Sequence, residues 1–136
     1  MPLPPNLPQH TLRVGVLSHL ATMRPWEIHD HVTALALMQV YEAPYQLAPD
    51  GGPPKPLLFS EPLRQDGDPL VVSAPVRPGA KFSDGSACTA AAVAASFSRV
   101  RDITANAEVR ARDGRVEFRL RAPDPHLATA LTQPFC

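Results

Sequence analysis

The run from Arg77 to Val100 admits few backbone solutions: Arg-Pro-Gly-Ala-Lys-Phe-Ser-Asp-Gly-Ser-Ala-Cys-Thr-Ala-Ala-Ala-Val-Ala-Ala-Ser-Phe-Ser-Arg-Val. Ser83-Asp84-Gly85 is tight-turn chemistry, because Asp bonds its own backbone and Gly tolerates a positive φ. Thr89 follows, a hydroxyl able to accept hydrogen bonds from the first free N–H groups of a helix. Alanines then propagate that helix at little entropic cost. Val93, Phe97 and Val100 recur at helical spacing, which predicts one apolar stripe turned to a core. The run reads as a strand end, a turn and a helix. Phe82, Phe97 and Phe118 are expected to share one small hydrophobic interior.

A second pattern lies near the end. In Val116-Glu-Phe-Arg-Leu-Arg121 apolar and charged residues alternate, and Ala107-Glu-Val-Arg-Ala111 mirrors them across Asp113-Gly114. This predicts an antiparallel hairpin, apolar side inward and Arg/Glu side wet. Upstream, Leu12-Arg-Val-Gly-Val-Leu17 has the pattern of a short buried strand. Asp30–Tyr41 predicts a helix in which Val32, Leu35, Ala36, Met38 and Val40 leave almost no polar face, so packing on more than one side is expected. Pro44 ends it, and Tyr45–Leu47 can form a small strand before the Pro/Gly-rich loop 49–54. Leu57–Arg64 and Leu70–Val76 flank Gln65-Asp66-Gly67-Asp68, a hairpin signal. Pro62 and Pro75 demand edge positions or bulges there. Pro125–Thr132 predicts a final short helix. Residues 1–10, with four prolines, predict a flexible arm. Residues 11–136 then form one α+β domain.

Composition narrows the function classes. A chain of 136 residues with 44% hydrophobic content supports a modest core. Thirteen basic residues against thirteen acidic give zero formal net charge, which argues against nucleic-acid and anionic-membrane partners. No apolar run reaches bilayer-spanning length. The opening Met1–His10 has neither the basic start nor the apolar centre of a signal peptide, which leaves a cytoplasmic location open. Cys88 and Cys136 are expected as free thiols rather than a disulfide. Cys88 approaches a helix start, which lowers a thiol pKa, but no base accompanies it and an inert residue is expected. His29-x-His31 sits at a helix entry, where i,i+2 residues diverge. With Glu27 and Asp30 as the sole helpers, no metal site is expected, and His19 and His126 are isolated. Trp26 is read as a core or rim aromatic. No Ser-His-Asp order, phosphate-binding glycine loop or carboxylate pair stands out, so no catalytic residues and no cofactor are expected.

The Arg77–Val100 run resembles the signature of the family 5 extracellular solute-binding proteins, the peptide- and nickel-binding components of ABC importers. Other pieces follow in the family's order. Leu12–Val16 resembles the first strand and Gln39-Val-Tyr-Glu42 the family's helix end. Pro56-Leu57, Ser60-Glu61 and Asp66-Gly67 resemble a segment leading into an Asp-Gly turn. Val116–Leu120 with Ala122-Pro-Asp-Pro resembles a strand followed by proline. The family's tryptophan after the glutamate is replaced by Pro62-Leu63, and an acidic residue at the helix start by Ala92. That replacement removes a carboxylate from the positive helix end, worth roughly 0.5–1 kcal/mol. Between the helix and the last hairpin, Asp102–Asn106 stand where the family usually carries a long insertion.

The resemblance implies the N-terminal lobe portion of a type II periplasmic-binding-protein fold, an antiparallel or mixed small sheet with flanking helices. It further implies a non-enzymatic, periplasmic or extracytoplasmic protein that binds a peptide or other small solute and docks on an ABC permease in its full-length form. Ser18, His19, Leu20, Ala21 and Thr22, just after the first strand, correspond to the ligand-contacting segment. The alternative is a shortened interaction or sensor module, acting through self-association or a protein partner.

Overall fold

The structure is a computed structural model and describes residues 12–133. The Pro-rich arm 1–10 and Cys136 lie outside the described residues.

The Asp113-Gly114 signal produces the anticipated hairpin. Asp113 has φ 49° and Gly114 φ 75°, so both turn residues are left-handed, as a two-residue hairpin turn requires. The turn joins β5 (Ala107–Arg112) to β6 (Arg115–Leu120), with Val109 opposite Phe118 and Ala111 opposite Val116. β4 (Asp68–Pro75) pairs antiparallel with the other side of β6, placing Val72 opposite Phe118 and Ala74 opposite Val116. β3 (Arg64–Asp66) closes the sheet in the order β3-β4-β6-β5. β3 is an edge strand with a register shift between Gln65 and Asp66, but β4 is central, against the edge or bulge expected of Pro75, which is accommodated as the last residue of the strand, opposite Arg115. β3 is much shorter than Leu57–Arg64. Leu58 and Phe59 instead leave the strand direction and enter the core, Phe59 bridging to Val76. A separate ribbon pairs β1 (Tyr45–Gln46) with β2 (Lys55–Pro56).

One face of the four-stranded sheet carries Val72, Ala74, Val116, Phe118, Leu120, Ala107 and Val109. α2 (Ala90–Phe97) lies over it, started by Thr89, whose hydroxyl accepts from Ala92 N–H at 3.2 Å. Val93, Phe97 and Val100 are buried, and the Phe97 and Phe118 ring centroids are 5.7 Å apart. α3 (Arg101–Thr104) buries Ile103 against β5, and α4 (Leu127–Ala130) adds Leu127 and Leu131 to the same cluster. Tyr45 and Phe59 meet edge-to-face at 5.5 Å and extend the core under the small ribbon.

Four further expectations fail. Phe82 is 38% exposed, because the Phe82–Ser86 turn closes on itself through Phe82 N–H to Ser86 O and Gly85 N–H to Phe82 O. It does not share the interior of Phe97 and Phe118. α1 (His31–Leu37) is shorter than Asp30–Tyr41 and packs on one side: Thr33 and Leu37 are buried, whereas Leu35, Met38 and Val40 are exposed. Leu12–Leu17 is not a strand. Among the described residues nothing pairs with its backbone, and Leu12, Val14, Val16 and Leu17 are exposed. Finally, the outer face of the hairpin is not uniformly wet. Glu117 is buried, with the guanidinium groups of Arg110 and Arg112 2.7 and 3.7 Å from its carboxylate.

Replacing Phe97 with Ala is expected to cost about 3–5 kcal/mol in denaturant unfolding, whereas Phe82→Ala stays within about 1 kcal/mol. Glu117→Gln is expected to cost about 1.5–3 kcal/mol by the same measurement, through loss of a hydrogen-bonded charge partner for Arg110.

Candidate functional site

The segment Ser18–Thr22 approaches the body of the protein at α1. Asp30 begins that helix: its carboxylate accepts from Thr33 N–H at 2.8 Å. The Thr33 side chain, and then its N–H, hold the Asp30 carboxyl below its usual range. Thr33 is wholly buried, and its Oγ1 accepts from Ala21 N–H at 3.1 Å. The loop is thus fixed at one backbone point to a buried hydroxyl. Thr22, half-buried, strengthens the same corner, donating to Glu27 at 3.0 Å and accepting from Arg24 N–H at 3.1 Å. Tyr41 adds a bond from its hydroxyl to Met23 O at 3.0 Å.

Ahead of this anchor the backbone is open. Among the described residues, 12–20 form no hydrogen bond at all, and Ser18, His19 and Leu20 are exposed. The anticipated segment is therefore brought together as a short arm with free N–H and C=O groups, held at Ala21 and Thr22. Thr33 is the residue that sequence reasoning missed. Its signal was the Asp30-x-x-Thr33 spacing of a side-chain-capped helix start.

The other candidates lie elsewhere. His29 and His31 are exposed at the start of α1. Among the described residues no group of three or more His, Cys, Asp or Glu could hold a metal. His126 is exposed ahead of α4, with its N–H bonded to Asp124. Trp26 is a rim aromatic with the Arg99 guanidinium 5.2 Å above its ring. Cys88 is a free thiol at a groove of about 370 Å³ that also meets Trp26, Tyr41 and Phe82. Partial burial pushes its pKa up, nearby Glu42 adds to this, and Arg77 opposes it. A raised thiol carries little thiolate at neutral pH and is a poor nucleophile. Arg77 is occupied structurally, donating to Glu42 at 3.0 Å and to Leu57 O at 3.0 Å.

A second concavity lies on the outer face of the sheet, about 370 Å³, lined by Asp66, Ser73, Arg115 and Glu117 among others. Several of its polar groups bond one another. Arg115 Nε donates to Ser73 Oγ at 2.9 Å, Ser73 Oγ donates to Asp66 at 2.9 Å, and Arg110 Nε donates to Glu117 at 2.8 Å. This network braces the sheet.

No protein-family model matches the sequence, and no curated protein matches it. Solved structures do match the fold. An oligopeptide-binding protein of an ABC transporter from Borrelia burgdorferi superimposes with a TM-score of 0.75 at 20% identity, over 87% of this chain and 29% of that one. The substrate-binding domain of an oligopeptide ABC transporter from Bacillus anthracis gives 0.74 at 18% identity, over 85% and 27%. NikA from Brucella suis, solved with Fe(III)-EDTA, gives 0.71 at 23% identity, over 85% and 25%. These are family 5 solute-binding proteins, the family that the Arg77–Val100 run resembles. The fold is that of part of a lobe of a type II periplasmic binding protein, a small antiparallel sheet with flanking helices. The chain spans between 25% and 29% of the length of these three structures.

Thr33→Val keeps the shape of the side chain and removes the acceptor for Ala21. It is expected to cost about 1 kcal/mol and to speed amide exchange at Ala21 while leaving the α2 amides unchanged. The Asp30 titration followed by NMR is expected to move up. A carboxylate with a lowered folded-state pKa stabilises above its ordinary value and loses that contribution as pH falls through the lowered one. In the variant this contribution is smaller and its loss is complete at a higher pH.

Proposed function

We propose that this chain is a solute-binding part of a peptide-type ABC importer receptor, with Ser18, His19, Leu20, Ala21 and Thr22 as its ligand-contacting segment. The supporting observation is the arm of unbonded backbone from residue 12 to residue 20, held at Ala21 by a buried hydroxyl. Backbone presented in this way binds an extended oligopeptide by strand-like hydrogen bonds, which give affinity without reading the ligand's side chains. The likeness to oligopeptide-binding structures supports the same ligand class. Capture between this portion and a second lobe, then docking on a membrane permease, is the transport cycle that follows, in an extracytoplasmic compartment. The chemistry is binding and release, with no bond made or broken in the solute.

Calorimetric titration with short peptides tests this reading. Binding is expected, with Ser18→Ala within about twofold of the parent because backbone groups make the contacts. Ser18→Pro, which deletes one N–H donor, is expected to weaken binding about tenfold. Absence of heat with every peptide and metal chelate tried would count against the proposal.

A second reading, an interaction or sensor module acting through a protein partner, is favoured by one observation. Leu35, Met38, Val40 and Leu47 are all exposed around α1 and the strand that follows it, and clustered exposed apolar residues mark contact surfaces. A protein that remains monomeric in light scattering and captures no partner would dispose of this reading.

A further inference from the structure

Asp-Gly occurs four times in this chain, at 50–51, 66–67, 84–85 and 113–114, each time with the glycine at a positive φ. In such a pair no side chain obstructs the backbone nitrogen that follows the carboxyl. That nitrogen can attack the aspartate Cγ. A C–N bond forms and a Cγ–O bond breaks, and the carboxyl oxygen leaves as water with the amide proton and the carboxyl proton. The product is a cyclic imide, which water then opens. Addition at Cγ restores aspartate. Addition at the α-carbonyl carbon breaks its bond to the glycine nitrogen and leaves the main chain running through Cβ and Cγ, an isoaspartate. One water is lost and one regained, so no further reactant is needed.

The reaction requires a free nitrogen and a free carboxyl, and the fold engages one or both at three of the four pairs. Gly51 N–H donates to Ala48 O at 3.0 Å, and Asp50 accepts from Gly52 N–H at 3.1 Å. Gly85 N–H donates to Phe82 O at 2.9 Å, and Asp84 accepts from Ser86 N–H at 2.8 Å and Ser86 Oγ at 2.6 Å. Those Ser86 bonds also hold the Asp84 carboxyl below its usual range, which disfavours the protonated form that loses water most readily. Asp66 accepts from the buried Ser73 hydroxyl at 2.9 Å. At Asp113-Gly114 neither group is held in this way. Arg112 Nε is 3.6 Å from the Asp113 carboxylate, beyond hydrogen-bond reach. Among the described residues Asp113 is also the sole non-glycine at positive φ, a conformation unfavourable for an L residue, so the turn has less to lose on rearranging.

We propose that Asp113-Gly114 is the preferred isoaspartate-forming site of this protein. The added backbone methylene falls between Arg112 and Arg115, the last pair of the β5–β6 ladder, and loosens the hairpin at its tip. The inference stands independently of the transport reading.

Prolonged warm incubation of the full chain at mildly acidic pH, with the fold followed by circular dichroism, tests the proposal. Isoaspartate is then labelled with an isoaspartyl carboxyl methyltransferase and located by peptide mapping. Each bond that must open first slows the reaction by a factor of about 2–10, so Asp113 is expected to exceed each other pair about threefold or more. Asp113→Gly keeps two left-handed turn residues and is expected to remove most of the total label. Ser73→Ala frees the Asp66 carboxylate and is expected to raise label at Asp66 about threefold, with Asp113 unchanged. In urea the four pairs are expected to react at similar rates, because the bonds that distinguish them are gone. Label spread evenly over the folded chain, or concentrated at Asp50, Asp66 or Asp84, would overturn the proposal. So would a preference for Asp113 that persists undiminished in urea, or the absence of label from the folded chain when the unfolded chain is labelled.

Discussion

The contact between Phe97 and Phe118, 5.7 Å between ring centroids, joins the helical layer to the sheet. α2 has little else to offer: five of its eight residues are alanine, and a methyl group removes little area from water. Val93 and Phe97 supply nearly all the apolar volume that the helix presents, on adjacent turns of one stripe. On the sheet side, Phe118 lies in the middle of β6, flanked by Val72 and Val109 on the neighbouring strands. One aromatic pair therefore sets the position of α2 on the sheet, and with it the turn that precedes the helix. The alanines allow that approach to be close.

The corner near the amino end depends on a different chemistry. Asp30 caps α1, Thr33 is buried beneath it, and Ala21 is bonded to Thr33. This is a polar latch, and one of its members is completely removed from water. A buried hydroxyl without a partner is costly, so the bond to Ala21 is worth more in preventing that loss than in its own strength. The consequence for binding is geometric. The arm preceding residue 21 is held at α1 rather than at the sheet.

Where local rules decide the outcome, the fold was legible in the residues. Thr89 predicts a helix start because capping is a contact within one turn. Asp113-Gly114 predicts a hairpin because the turn must accommodate two left-handed residues. The errors arise where a pattern specifies a face but not its partner. Leu12–Leu17 has the alternation of a buried strand, yet alternation cannot supply a neighbour to hydrogen-bond with. Val40 and Met38 read as core for the same reason and are exposed. Glu117 fails in the opposite direction: its position on the outer face is as anticipated, but it is buried and paired with Arg110 and Arg112. Phe82 belongs to a turn closed by its own backbone bonds, so its ring has no route into the core. Of the candidate site, the segment 18–22 was suggested by the family resemblance alone, and Thr33, which bonds Ala21, became visible only in the structure.

Residues 12–22 divide into two physically distinct halves. From Ser18 onward exposed polar groups can remain hydrated at little cost, and the anchor at Ala21 sets their geometry in advance. From Leu12 to Leu17 the situation is reversed. The backbone can be hydrated, but the side chains beside it cannot be exposed without cost, so any partner that covers them gains apolar burial and strand bonds together.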